Sequence, residues 1–198
     1  MFVVMQWDSA VTNYKSSQRD RIIDTLAELI FEDGLVGLSM AKLARSSGLS
    51  RQTLYNYFPD IETALISYVN TKSIYLDTQI RELLSIIDDP TEKLDAFVGG
   101  LVMTLPNQAP FSVLELSVGQ QLINDIGFPV KMISSLLFEV LLEGVQKGVF
   151  REEVLEENFS IALVRMLFSF QPIVVDGRVD AMVFAGMTVD LVRRTVIA

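Results

Sequence analysis

The 198-residue chain has no cysteine and no histidine. Without cysteine there is neither a disulfide framework nor a thiolate metal site. Without histidine the commonest general base and the commonest metal ligand are missing. No glycine-rich phosphate loop or metal-ligand spacing takes their place. Catalysis would fall to carboxylates, lysine, serine or tyrosine. The acidic clusters, Asp88-Asp89 and Glu152-Glu153 with Glu156-Glu157, stand in turns and at helix starts, where solvated or capping acids belong. An enzyme is not expected, and the sequence asks for no cofactor and no metal.

A long apolar run is missing too. The longest charge-free stretch, Ala96 to Leu114, contains Pro106, Asn107, Gln108 and Pro110. A spanning helix needs about 20 mostly apolar residues, so no membrane partner is expected. Met1 to Trp7 is apolar but short and has no basic leader or small-residue cleavage site, and a cytoplasmic location is the expectation. Half of the residues are nevertheless hydrophobic. A monomer rarely exposes large apolar patches, so the excess is expected to line a pocket or a subunit interface.

Charge is unevenly spread. The net charge of −9 argues against nucleic acid as a partner, but from Gly34 to Pro59 there are Lys42, Arg45 and Arg51 and no acidic residue. Ser73 to Ala198 holds 9 basic and 17 acidic residues. A basic island on an acidic body is the distribution of a DNA-binding module joined to a different domain.

Periodicity points to an all-α chain of roughly nine helices. Residues 1–14 show no clear period and are expected to form a flexible arm. Ile22, Ile23, Leu26, Ala27, Leu29 and Ile30 make the apolar stripe of a first helix, about Ser17 to Asp33, ended by Gly34. Ser39 caps a short helix, Met40 to Ser47, which Gly48 ends; Ser50 caps a third, Arg51 to Tyr57. Pro59 interrupts, and Asp60 caps a long helix to about Ile87. Asp89-Pro90 starts a fifth. Pro106 to Pro110 reads as a loop, followed by helices over Phe111 to about Asp125 and Pro129 to about Lys147. Gly148 to Arg151 is a turn. Helices over about Leu155 to Phe170 and Val179 to Val196 complete the chain, separated by Pro172 to Gly177. The expected domains are the arm, a helix-turn-helix domain over 15–59, and an effector-binding and dimerisation domain over 60–198 whose first helix, 60–87, is the link.

Ser39 to Phe58 is the informative stretch. Ala44 is small where two helices approach, Gly48 suits the positive φ of the turn, and Leu43, Leu49 and Leu54 make an apolar cluster that sets the crossing angle. This geometry presents the third helix to the DNA major groove. Its polar surface is Arg51, Gln52, Thr53 and Asn56. Arginine pairs with guanine edges and glutamine or asparagine with adenine. Ser50, Tyr55 and Tyr57 can reach phosphates, and Lys42 and Arg45 supply the rest of the basic island. The same spacing also occurs in plain packing corners, with Tyr55, Tyr57 and Phe58 as core. The absence of acidic residues favours DNA, because a solvated surface usually mixes signs.

The runs Leu38-Ser39-Met40-Ala41-Lys42-Leu43-Ala44, Gly48-Leu49-Ser50 and Thr53-Leu54-Tyr55-Asn56-Tyr57-Phe58-Pro59 resemble the TetR family of bacterial repressors. The motif covers about the first third of the chain. The resemblance implies a homodimer on double-stranded DNA, phosphate roles for Ser39, Ser50, Tyr55 and Tyr57, and base-reading roles for Arg51, Gln52 and Asn56. The family usually carries a lysine at the start of the fourth helix. Here that position is Ile61, between Asp60 and Glu62, whose charges repel DNA.

In the remainder, Phe159, Leu163, Met166, Leu167 and Phe170 form one wide apolar face and Met182, Phe184, Met187, Val189 and Leu191 another, with Gly186 allowing close approach. Ordinary core explains many of these residues. Two such faces at the end of a very apolar chain suggest a four-helix dimer interface, with Phe159, Leu163, Met166, Phe170, Met182, Gly186 and Val189 as candidates. Phe97, Met103, Phe111, Leu116, Phe128, Phe138 and Phe168 are candidate pocket walls, with Gln120, Gln121 or Asn124 to orient a polar group. The scarcity of charge from Ala96 to Lys131 favours an apolar or aromatic effector, which would move the two recognition helices off their spacing of about 34 Å. The function expected is a ligand-responsive repressor. The alternative is a helical interaction module of the same fold that has lost DNA binding, which Ile61 and the acidic balance would suit.

Overall fold

The computed structural model describes residues 2–35, 37–104, 120–156, 158–170 and 179–197, with side chains described from residue 17 onward outside 120–129. The described residues form eight α-helices: α1 Phe2–Asp33, α2 Met40–Ser46, α3 Arg51–Tyr55, α4 Ile61–Ser85, α5 Pro90–Thr104, α6 Gln120–Gln146, α7 Phe159–Ser169 and α8 Ala181–Val196. A 3₁₀ turn covers Glu152–Leu155. The one isolated β-bridge among the described residues joins Phe150 to Ile197. The expected all-α class is what the chain adopts.

Several boundaries differ from the sequence reading. Helix α1 begins at Phe2, not near Ser17, so residues expected in the arm are helical. No proline or glycine interrupts the backbone ladder between Phe2 and Asp33, and Ser16 and Ser17 stand inside it. Helix α3 ends at Tyr55, with the amides of Tyr57 and Phe58 turned onto the Leu54 carbonyl at 2.9 and 3.0 Å. Pro59 disfavours helical backbone at the residue before it. Pro129 does not start a helix but lies inside α6, where it removes a single backbone donor from a helix of 27 residues. The helix expected from Leu155 begins instead at Phe159, after Asn158 at φ +70°. Residues 105–119 and the Pro172 to Gly177 connection lie outside the described residues.

The contacts divide into two compact units, Met1–Val69 and Asn70–Ala198, and the division falls within α4. In the first unit Ile22, Ile23, Leu26, Leu43, Leu54, Phe58 and Ala64 are almost fully buried. In the second, α8 packs chiefly on α5, and α6 packs on α5 and α7. Leu94, Phe97, Val98, Leu101, Leu137, Leu141, Val164, Leu167 and Val192 form that core. Polar clamps lock the layers. Arg193 of α8 grips both carboxylate oxygens of Asp95 on α5, with Nε to Oδ1 at 2.6 Å. Arg81 of α4 reaches Glu139 of α6 at 2.9 Å, and Lys93 of α5 reaches Glu143 of α6 at 2.6 Å.

Candidate nucleic-acid interface

Helices α2 and α3 are short, and each depends on its cap. Ser39 accepts the Lys42 amide at 3.3 Å. Ser50 accepts the Thr53 amide at 3.0 Å and lies 2.8 Å from the Thr53 hydroxyl. Each cap satisfies an amide that the helix leaves unpaired. Between the helices, Gly48 sits at φ +65°, with open space where a Cβ would stand. The backbone conformation, not crowding, asks for glycine there. Leu43, Ala44 and Leu54 are buried at the contact between the two helices.

With Leu54 inward, the other side of α3 faces solvent. Arg51, Gln52, Tyr55 and Asn56 are exposed, while Thr53 and Tyr57 are half-buried. Ser39, Ser50 and Arg45 are exposed as well. Lys42 is half-buried and paired with Asp33 at 2.9 Å. The structure therefore places the expected base-reading residues together on one outward face. It also occupies two of the expected phosphate-contacting groups, since both serine hydroxyls serve as caps.

Ile61 opens α4 half-buried, flanked by exposed Asp60 and Glu62. The Asp60 carboxylate accepts the Thr63 amide at 2.7 Å. The hydrogen bonds from Thr63 hold its pKa below the usual 3.8. The sequence reading assigned no role to Arg19. Its guanidinium lies 5.0 Å from the centroid of the Phe58 ring and donates to the Ser67 hydroxyl at 2.6 Å. It fastens α1 to Phe58 and to α4. Nothing local marks this contact, because its partners lie 39 and 48 positions away in sequence.

The pocket candidates are scattered in their setting. Phe97 and Phe168 are buried, while Met103 and Phe138 are exposed. Gln120, Gln121, Asn124 and Phe128 lie in α6 without described side chains, and Phe111 and Leu116 lie outside the described residues. Three of the interface candidates, Phe159, Leu163 and Met166, line an apolar cleft of about 280 Å³ with Leu191, Val192 and Thr195. Phe170 stacks edge-on against Phe184 at 5.3 Å within the subunit, and Val189 faces α5 near Gly99. Met182 is 73% exposed and Met187 64%, and a Cβ on Gly186 would meet nothing within 4 Å.

The sequence model of bacterial regulatory proteins of the tetR family matches residues 22–65, the stretch that holds these caps and this turn. The fatty acid metabolism regulator protein of Bacillus subtilis is 30% identical over 139 residues, covering 67% of this chain and 70% of that protein. The chain belongs to the TetR family of bacterial transcriptional regulators. An HTH-type transcriptional regulator of Mycobacterium tuberculosis is 30% identical over 90 residues, a stretch that spans only 45% of that relative. Among solved TetR-fold structures, the fatty acid degradation regulator FadR of Bacillus halodurans aligns with a TM-score of 0.78 at 26% identity, covering 89% of this chain and 94% of that one. FadR of Bacillus subtilis, solved in complex with stearoyl-CoA, aligns at 0.68 with 23% identity, over 86% and 95% of the two chains. Among the described residues no helix is long and apolar enough to cross a membrane.

Proposed function

We propose that this TetR-family protein is a cytoplasmic repressor that binds a palindromic operator as a homodimer and is released by a largely apolar effector. The observation that carries the DNA-binding part is the outward face of α3: Arg51 and Gln52 exposed on a helix held by buried Leu54, with exposed Asn56 at its C-cap. Arg51 reads guanine, Gln52 and Asn56 read adenine, and Tyr55, Tyr57 and Thr53 steady the helix on the backbone, with Arg45 and Lys42 adding charge. The Lys42–Asp33 pair lies at the surface, where such pairs contribute about 0–1 kcal/mol, so a phosphate displaces Asp33 at little cost. Ser39 and Ser50 act first as caps.

The dimer forms through α7 and α8, whose apolar cleft and exposed Met182, Val183, Met187 and Leu191 await a covering surface. A second copy supplies the same faces in a four-helix arrangement. The effector belongs to the second unit. Kinship with regulators of fatty acid metabolism and the stearoyl-CoA bound by one relative support a long-chain acyl thioester as its class. Release then follows from linkage: the effector binds the state with low DNA affinity more tightly than the state with high affinity.

The test is fluorescence anisotropy with DNA from upstream of the protein's own gene. The expected result is binding that survives excess random DNA and weakens with stearoyl-CoA, and a loss of about 1–3 kcal/mol in Arg51→Ala if that residue reads a base. Equal affinity for random DNA, or no change in Arg51→Ala, refutes the repressor reading.

A further inference from the structure

Helix α4 carries a buried stripe at helical spacing. In its C-terminal half the stripe is apolar, with Leu76, Ile80 and Leu84 buried. Toward the start of the second unit, buried Ser73 is flanked along the same side of the helix by half-buried Asn70 and Asp77. Positions 70, 73 and 77 share one side of a helix, and Ser73 is only 4% exposed. Two side-chain oxygens here are shielded from solvent and have no hydrogen-bond donor among the described residues: Oδ1 of Asn70 and Oδ1 of Asp77. The other oxygen of Asp77 is held by Arg81 at 2.9 Å. The two orphaned acceptors lie two turns apart, about 10 Å along the axis.

A buried acceptor without a donor loses its water and recovers nothing. Two of them on one side of a helix are a standing cost that leucine would remove. We propose that Asn70 and Asp77 are effector-binding residues: they accept hydrogen bonds from N–H or O–H groups that the effector carries beside its apolar part. The inference rests on the effector reading above and sharpens it. An acyl thioester of coenzyme A brings amide N–H and hydroxyl donors on its pantetheine arm. A free fatty acid brings a carboxylate, which has no donor to offer and is repelled by the unpaired oxygen of Asp77.

The test compares stearoyl-CoA with stearate, by calorimetry and by thermal melting of the full chain, in the wild type and in Asn70→Leu and Asp77→Leu. Arg81 keeps its Glu139 partner in the second variant. The expected result is that the wild type binds stearoyl-CoA and not stearate at equal concentration. Each leucine variant should bind stearoyl-CoA about tenfold more weakly yet melt higher than the wild type without ligand. Thr78→Ala, on the exposed side of α4, should bind as the wild type does. Unchanged affinity in both leucine variants, or stearate binding as tightly as stearoyl-CoA, overturns the proposal. If neither probe binds, the acyl-thioester reading of the effector fails. The melting curves then decide the acceptor inference alone: leucine variants that melt higher support it, and variants that melt lower show both oxygens already satisfied and overturn it.

Discussion

At the scale of single residues, Ile61 and Gly144 show how little local sequence says about consequence. Ile61 begins α4 between two exposed acids, where relatives of this family usually place a lysine. A cation there would meet a phosphate, and each phosphate contact adds about 0.9 to the slope of log affinity against log salt. Ile61→Lys is expected to tighten operator binding at low salt and steepen that slope by about this amount, read from anisotropy titrations over a salt series. Gly144 lies in α6, where helical propensity favours alanine. A Cβ at this position would collide with the Phe150 ring, which is itself buried. The Gly144 carbonyl also accepts the amides of Val149 and Phe150 at 2.9 and 3.2 Å, so the turn cannot swing away freely. Gly144→Ala is expected to destabilise the chain by about 1–3 kcal/mol, measured by urea unfolding, even though its intrinsic helix propensity points the other way.

At the scale of elements, caps and clamps carry titratable groups, and their pH dependence has a definite sign. Asp60 caps α4 through the Thr63 amide, which lowers its pKa. Glu143 bonds Lys147 at 2.7 Å and Lys93 at 2.6 Å, and these bonds, Lys147 first, hold its carboxyl below the usual 4.5. A carboxylate whose folded pKa is depressed stabilises the fold above its unfolded value and loses that contribution as the pH falls through the folded one. The melting temperature should thus decline as the pH drops below about 4.5. Glu143→Gln should flatten part of that decline, and Asp60→Ala should remove another part while costing about 1 kcal/mol at neutral pH through the lost cap. A melting temperature of Glu143→Gln that tracks the wild type over the whole acid range would show that the clamp does not set the acid limit. Both groups lie at the surface, so the effect is modest and weakens with salt.

At the scale of the molecule, the question is what covers α7 and α8. Met187 is outward on α8 and 64% exposed. A charge at the centre of a packed apolar interface is strongly unfavourable, and at a solvated surface it is nearly neutral. Met187→Glu is expected to shift sedimentation from dimer to monomer and abolish operator binding, with far-UV circular dichroism still showing a folded helical chain. A variant that remains dimeric would place the interface elsewhere.

Local chemistry determined much of this protein from sequence. The serine caps and Gly48 are short-range features, with cap partners three residues away, and Leu43, Ala44 and Leu54 are the apolar positions of two short adjacent helices. Arg51, Gln52 and Asn56 were legible as an outward face because Leu54 fixes which side of so short a helix is buried. Tertiary structure decided what depends on distant partners. It clamps Arg19 on Phe58 and Ser67, gives Lys42 to Asp33, turns Val189 toward α5, and keeps Phe170 against Phe184. It also carries α6 straight through Pro129, because one lost hydrogen bond is outweighed by the buried stripe of Val130, Ile133, Leu137 and Leu141. Periodicity reports which positions are apolar. Whether an apolar position faces its own core, a pocket or a second subunit is settled only when the other surfaces are in place.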